Sequence, residues 1–241
     1  METTFFSSLL LALFIGVASG SIGSFVVLRR MALVGDALSH IALPGIALAL
    51  AYAVDPFWGV LFFLLGAAVL IWWLEGRTKL YSEAIVGLLF TASLAIGILT
   101  IPDTEILESL FGSFPELSGF LLFLILGAAS TLTIFTFLFT PKFLFATFSP
   151  ELAQIDDPKR KWDLWFLVIF TFVVALGIKL VGTLLMGALT IISASIAKSV
   201  ARSMAGYLIL STILGGLVAS GGVVLAQNFG FLPGRTIILF G

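Results

Sequence analysis

Residues 164–197 read LWFLVIFTFVVALGIKLVGTLLMGALTIISASIA, 34 residues that carry a single charge, Lys179. A bilayer core of about 30 Å is crossed by roughly 20 apolar residues at about 1.5 Å each, so this run, about 51 Å as one helix, is too long for one crossing. Lys179 and Gly182 sit near its middle and predict two helices joined by a tight turn. A barrel strand would alternate apolar and polar residues, and this run does not.

The same pattern repeats along the chain. Apolar runs extend over Phe5–Leu28, Met31–Val54, Phe57–Leu74, Ala84–Ile101, Leu117–Thr140 and Ser203–Asn228. With the split pair they predict eight spans and an all-α polytopic membrane protein. The bulk composition agrees: 60% hydrophobic and 10% charged residues in 241, with a mean hydropathy of +1.21. Soluble domains carry about 25% charged residues, so a soluble enzyme is excluded. The net charge of −1 offers no basic footprint for nucleic acid. The absence of cysteine excludes disulfides, zinc ribbons and thiol nucleophiles. No linker or internal repeat divides the chain, which reads as one membrane domain, residues 1–241. The first run is expected to be a span rather than a leader, because Glu2 stands where a basic n-region would lie.

Basic residues orient the spans. With the N-terminus outside and eight spans alternating, ten of the twelve Lys and Arg residues fall inside, leaving Lys179 and Arg235 outside. The external loop after the fourth span holds Asp103, Glu105, Glu108 and Glu116 and no basic residue. The longest inside loop, Pro141–Asp163, mixes Phe143, Phe145 and Phe148 with charges and predicts a short interfacial helix.

Most charges stand at span ends. The second span is the exception, holding Asp36 and the only histidine, His40. Four residues apart on a helix, they share a face, extended by Ser39. An ionisable residue inside a span is expensive and marks a functional site by default. The alternative is that the two pair with each other for packing alone. Pro44 and Gly45 follow and predict a kink or break just past the pair. One histidine and one carboxylate are few ligands for a transition metal. Two copies meeting on a two-fold axis would supply two nitrogens and two oxygens, a set suited to zinc or manganese. Gly16 and Gly20, with Gly215, Gly216, Gly221 and Gly222, could allow the close helix approach such a dimer needs, or equally pack within one chain. The chain has no phosphate-binding loop, no H-E-x-x-H and no nucleophile elbow. It is therefore not expected to hydrolyse ATP itself or to act as a membrane metalloprotease, and is read as a non-catalytic transport subunit.

The string Arg29-Arg30-Met31-Ala32-Leu33-Val34-Gly35-Asp36-Ala37-Leu38-Ser39-His40-Ile41-Ala42-Leu43-Pro44-Gly45 closely resembles the signature of the zinc/manganese ABC-importer permeases. Leu110-Phe111-Gly112-Ser113 resembles that family's external L-F-G segment. Val181–Arg202 resembles its late helix and following cytoplasmic turn, and Leu232-Pro233-Gly234 with Thr236–Leu239 its last extracellular region. Three departures stand out. Ile41 replaces an alanine, and Ser193-Ala194 replaces a Pro-Ala that would kink the helix. Members commonly continue past the last region into a further apolar helix, whereas this chain stops at Gly241.

The resemblance implies a homodimeric, type II importer-like permease in the cell membrane, with no tightly bound cofactor. It implies a divalent metal, zinc, manganese or iron, received from an extracellular or periplasmic binding protein and driven through by a cytoplasmic ATPase pair. It carries the family's metal ligands over to Asp36 and His40 only. The turn Ala197–Gly206, with Lys198 and Arg202 expected on one helical face and Gly206 ending that helix, is one docking site for the ATPase, and Pro141–Asp163 is its rival. A proton-coupled secondary transporter using Asp36 and His40 as a relay is the alternative, and a membrane scaffold or enzyme a more distant one.

Overall fold

The computed structural model describes residues 2–78, 82–100, 110, 119–157, 160–231 and 233–241. Lys79, Lys159, the acidic loop residues and Phe111–Ser113 lie outside them. Among the described residues there are eleven helices and no strand: α1 (Glu2–Leu28), α2 (Ala32–Ala51), α3 (Pro56–Arg77), α4 (Ser82–Thr100), α5 (Gly119–Leu138), α6 (Thr140–Phe148), α7 (Pro150–Asp156), α8 (Lys161–Val181), α9 (Thr183–Val200), α10 (Met204–Phe229) and α11 (Pro233–Phe240). Six of these (α1, α2, α3, α5, α8 and α10) are long and apolar enough to cross a membrane. In α4 and α9 the apolar segments are shorter, Ala84–Gly97 and Met186–Val200.

The long run of residues 164–197 divides where its length and its glycine predict. Gly182, at φ 86° and ψ 167°, lies between the end of α8 and the start of α9. That backbone region is essentially open to glycine alone. Other ends follow side-chain chemistry. Asp55 caps α3 by accepting from the Phe57 N–H at 2.8 Å, ahead of Pro56 at the first helical position. Ser203 caps α10 by accepting from the Gly206 N–H at 3.1 Å. Gly206 therefore sits in the first turn of α10 instead of ending a preceding helix. Arg202 lies beyond the end of α9, so it does not share a helical face with Lys198. A serine in the preferred N-cap position outweighs the stop signal of a glycine three residues on.

α1 and α10 run antiparallel in intimate contact. A Cβ on Gly16 would strike the Gly215 carbonyl oxygen, and one on Gly215 the Gly16 carbonyl oxygen. Ser211 Oγ donates to the Gly20 carbonyl at 2.6 Å and Tyr207 Oη to the Ser24 carbonyl at 2.9 Å. The glycine face of the first span is thus spent inside the chain. Small residues at such an interface gain backbone van der Waals contact where lipid offers no hydrophobic drive.

α2 lies at the centre, packed on α3, α4 and α9, with 78% of its apolar window buried, against 11% for α5 on the periphery. Of the kink or break expected after His40, the break is absent: α2 runs unbroken from Ala32 to Ala51 with Pro44 inside it. Gly45 serves packing instead, since a Cβ there would meet the Gly59 carbonyl of α3. α9 is likewise unbroken past Ser193, so the helix is continuous where the resembling family has Pro-Ala. The Pro141–Asp163 segment holds two short helices, α6 and α7. Phe143 of α6 is fully buried between Phe25 (5.5 Å between ring centroids) and Phe166 (5.8 Å), while Phe145 and Phe148 are exposed.

Two ends of the bundle can be told apart. At one, Arg160 before α8 bonds Glu75 near the end of α3 at 2.8 Å. At the other, Lys179 near the end of α8 approaches Asp55 at the start of α3 at 3.9 Å. α3 and α8 are therefore antiparallel, with the charged turns collected at the first end.

Candidate metal site in the second helix

The helical period of α2 puts Asp36 and His40 one turn apart. Asp36 is half-buried and His40 only 6% exposed. α9 crosses α2 directly at Asp36: a Cβ on Gly187 would lie 2.6 Å from the Asp36 Cα. This glycine brings a second helix against the carboxylate's own backbone. The His40 ring stands edge-to-face on Phe90 of α4, 5.2 Å between centroids at 78°, an arrangement that fixes an aromatic ring's plane.

His40 Nδ1 is buried and has no hydrogen-bond partner among the described residues, Asp36 included. Burying a polar atom unpartnered costs about 1–3 kcal/mol, and natural cores rarely carry it without a reason. This nitrogen is therefore not the one through which Asp36 and His40 could pair for packing alone. Ser39, expected to extend the polar face, turns its hydroxyl back to donate to the Asp36 carbonyl at 2.6 Å. Among the described residues, no group of three or more His, Cys, Asp or Glu residues could hold a metal ion. Asp36 and His40 offer half a coordination set. Phe90 escaped sequence reasoning because one phenylalanine in an apolar run carries no signal.

A second polar assembly occupies the charged end of the bundle. Arg29, in the α1–α2 turn, bonds Asp163 Oδ1 at 2.9 Å through Nη1, reaches Thr147 Oγ1 of α6 at 3.2 Å through Nε, and lies 4.4 Å over the Phe166 ring. Arg160 bonds Asp163 Oδ2 at 3.0 Å and Glu75 Oε2 at 2.8 Å. Burial pulls the Arg29 guanidinium below its usual range, although Asp163 opposes this. Burial acts on Arg160 too, but the hydrogen bond to Glu75 and the charge of Asp163 outweigh it and hold Arg160 above its ordinary value. Sequence reasoning placed these residues at span ends and did not join them. Arg29 and Asp163 are 134 residues apart, and nothing in the sequence links them.

The whole chain, residues 1–241, matches the model of the ABC 3 transport family. It is 31% identical over 238 residues to the manganese import system permease protein ScaB of Streptococcus gordonii, covering 97% of this chain and 86% of that one. The high-affinity zinc uptake system membrane protein ZnuB of Haemophilus influenzae is 30% identical over 244 residues, covering 97% and 92%. The solved structure of PsaBC from Streptococcus pneumoniae in complex with Fab superposes with a TM-score of 0.83 at 29% identity, over 97% of this chain and 86% of that one. The unbroken apolar helices, the intramembrane Asp36–His40 pair and these likenesses agree: the chain belongs to the ABC 3 transport family and is a multi-pass permease of the cell membrane.

Proposed function

We propose that this chain is the membrane subunit of an ATP-driven importer for a divalent transition metal, manganese or zinc, with Asp36 and His40 as the ligands in transit. The observation that carries the reading is the buried, unpartnered His40 Nδ1 one turn from a half-buried carboxylate. Imidazole nitrogen with carboxylate oxygen suits transition metals over calcium and magnesium. One chain supplies two such ligands, so two copies across a two-fold axis complete the set, each contributing Asp36 and His40. Phe90 holds the imidazole plane. The relatives' names, a manganese import permease and a zinc uptake membrane protein, support this cargo class. ATP is hydrolysed by a separate cytoplasmic chain, and an extracellular binding protein delivers the ion.

The reading includes eight spans in a single membrane domain, N-terminus outside. The gathering of Arg29, Arg30, Arg160 and Lys161 at one end, opposite Lys179, supports it. For ATPase docking we favour α6 and α7 over Ala197–Gly206, because the former is a pair of helices held on the bundle by Phe143. Titration of the purified dimer with manganese or zinc tests the site: His40→Ala is expected to lose binding with excess magnesium making no difference, and retained binding refutes it. Topology has its own test in this cysteine-free chain: an outside-only thiol reagent should modify S113C and spare S149C.

A further inference from the structure

The charged cluster beside the α1–α2 turn is not closed on itself. Arg29 Nη2 and Glu75 Oε1 are both buried without a hydrogen-bond partner among the described residues, a donor and an acceptor of opposite charge left over in one assembly. Asp163 is already occupied on both oxygens, by Arg29 and by Arg160. The cluster joins four parts of the chain: the α1–α2 turn, the end of α3, the last turn of α6 and the first turn of α8. It walls a cavity of about 900 Å3, whose lining also includes Ala146 of α6 and Ala153 of α7. The two short helices thus have open space on the side facing the charges. Arg29 stands seven residues before Asp36, in the turn from which α2 starts. An ion cluster with one unused donor and one unused acceptor has two alternative pairings, which is the requirement for a bistable element.

We propose that Arg29 is the positioning residue of an exchange latch: its guanidinium passes from Thr147 and Asp163 to Glu75 when α6 and α7 move, carrying that movement into α2 and the Asp36–His40 pair. The proposal rests on the metal-permease reading and deepens it by naming a route between the drive and the site. Asp163 remains paired with Arg160 throughout, so no charge is stranded when Arg29 leaves. Thr147, whose hydroxyl donates to the Phe143 carbonyl of α6 while its oxygen accepts from Arg29 Nε, senses the position of α6.

Two variants test the latch without touching the metal ligands. Thr147→Val removes the α6 acceptor and keeps every charge. Glu75→Gln keeps an oxygen for Arg160 but removes the charge that would receive Arg29. In the complete complex with its ATPase chain, reconstituted in vesicles, ATP hydrolysis is measured with and without manganese or zinc, alongside metal bound in the absence of ATP. The metal-stimulated increment is expected to fall at least fivefold in each variant, with basal hydrolysis and bound metal within twofold of wild type. Glu75→Asp should restore at least half of the increment. An unchanged increment overturns the proposal, and so does a parallel loss of assembly and basal hydrolysis, the mark of a static clamp.

A second measurement needs no metal. Spin labels on cysteines at the exposed Leu33 of α2 and Leu152 of α7 should give two ATP-dependent distance populations in the wild type and one in Glu75→Gln. One identical population in both overturns the latch. An Asp36→Ala complex that still binds and responds to metal would overturn the site reading alone, since the label distances judge the latch separately.

Discussion

The two charged assemblies flank the α1–α2 turn and are satisfied to different degrees. At the end of the bundle, Arg29, Arg160, Asp163 and Glu75 meet one another at 2.8–3.0 Å. Within α2, Asp36 and His40 face the same way, yet the buried imidazole keeps an unpartnered nitrogen. The cluster consumes most of its own hydrogen-bonding capacity and leaves over Arg29 Nη2 and Glu75 Oε1. A carrier site must keep some of it free and accept the cost. The contrast therefore separates an assembly bonded largely to itself from a pair whose imidazole keeps Nδ1 unbonded, and each can be removed without the other.

The largest expected effect on stability comes from Asp163. Asp163→Ala leaves Arg29 without its carboxylate and Arg160 with Glu75 alone, and a fully buried pair broken this way costs about 3–5 kcal/mol. Because Asp163 is 25% exposed, solvent screening brings the expectation to about 2 kcal/mol. Thermal unfolding of the purified protein in detergent reads this, and an unchanged melting curve would place the cluster among the inert ion pairs. Gly182→Ala forces an L residue into a glycine-only backbone region between α8 and α9, for about 2 kcal/mol in the same assay. If it is neutral, the turn can adopt another conformation. His40→Ala should barely move the melting curve, by about 1 kcal/mol at most, because the lost packing is offset by removal of an unpartnered nitrogen. A large destabilisation there would make His40 a structural residue and collapse the comparison. The smallest effect belongs to Phe90→Leu. It keeps the volume and loses the edge-to-face contact, and should weaken metal affinity by roughly threefold, about 0.7 kcal/mol, within the range of aromatic pairs. Unchanged affinity would show that α4 does not orient the imidazole.

How far the sequence anticipates this arrangement depends on whether the signal is local. Span positions follow from apolar length, and the division at Gly182 follows from a run too long for one crossing. Asp36 and His40 are legible because their spacing is four and everything around them is apolar. Partner choice is not legible. Gly16 and Gly20 announce a close approach but not that Gly215 answers it from the same chain. Pro44 announces a kink or a break, and the break does not occur in α2, which is packed between neighbouring helices. Ser203 is a serine at an N-cap, a signal available in the sequence but masked by the basic residues beside it. The charge cluster is invisible because its members come from four distant segments, and any charge at a span end already has a sufficient explanation.

The central claim is that Asp36 and His40 handle the transported ion. The most direct measurement is manganese or zinc uptake into vesicles containing the complete transporter, for wild type, Asp36→Ala and His40→Ala at matched membrane abundance and confirmed assembly. The account predicts uptake at the level of protein-free vesicles for both variants, while Thr147→Val, with its site intact, still binds metal. Uptake at the wild-type rate in either Asp36→Ala or His40→Ala would contradict it.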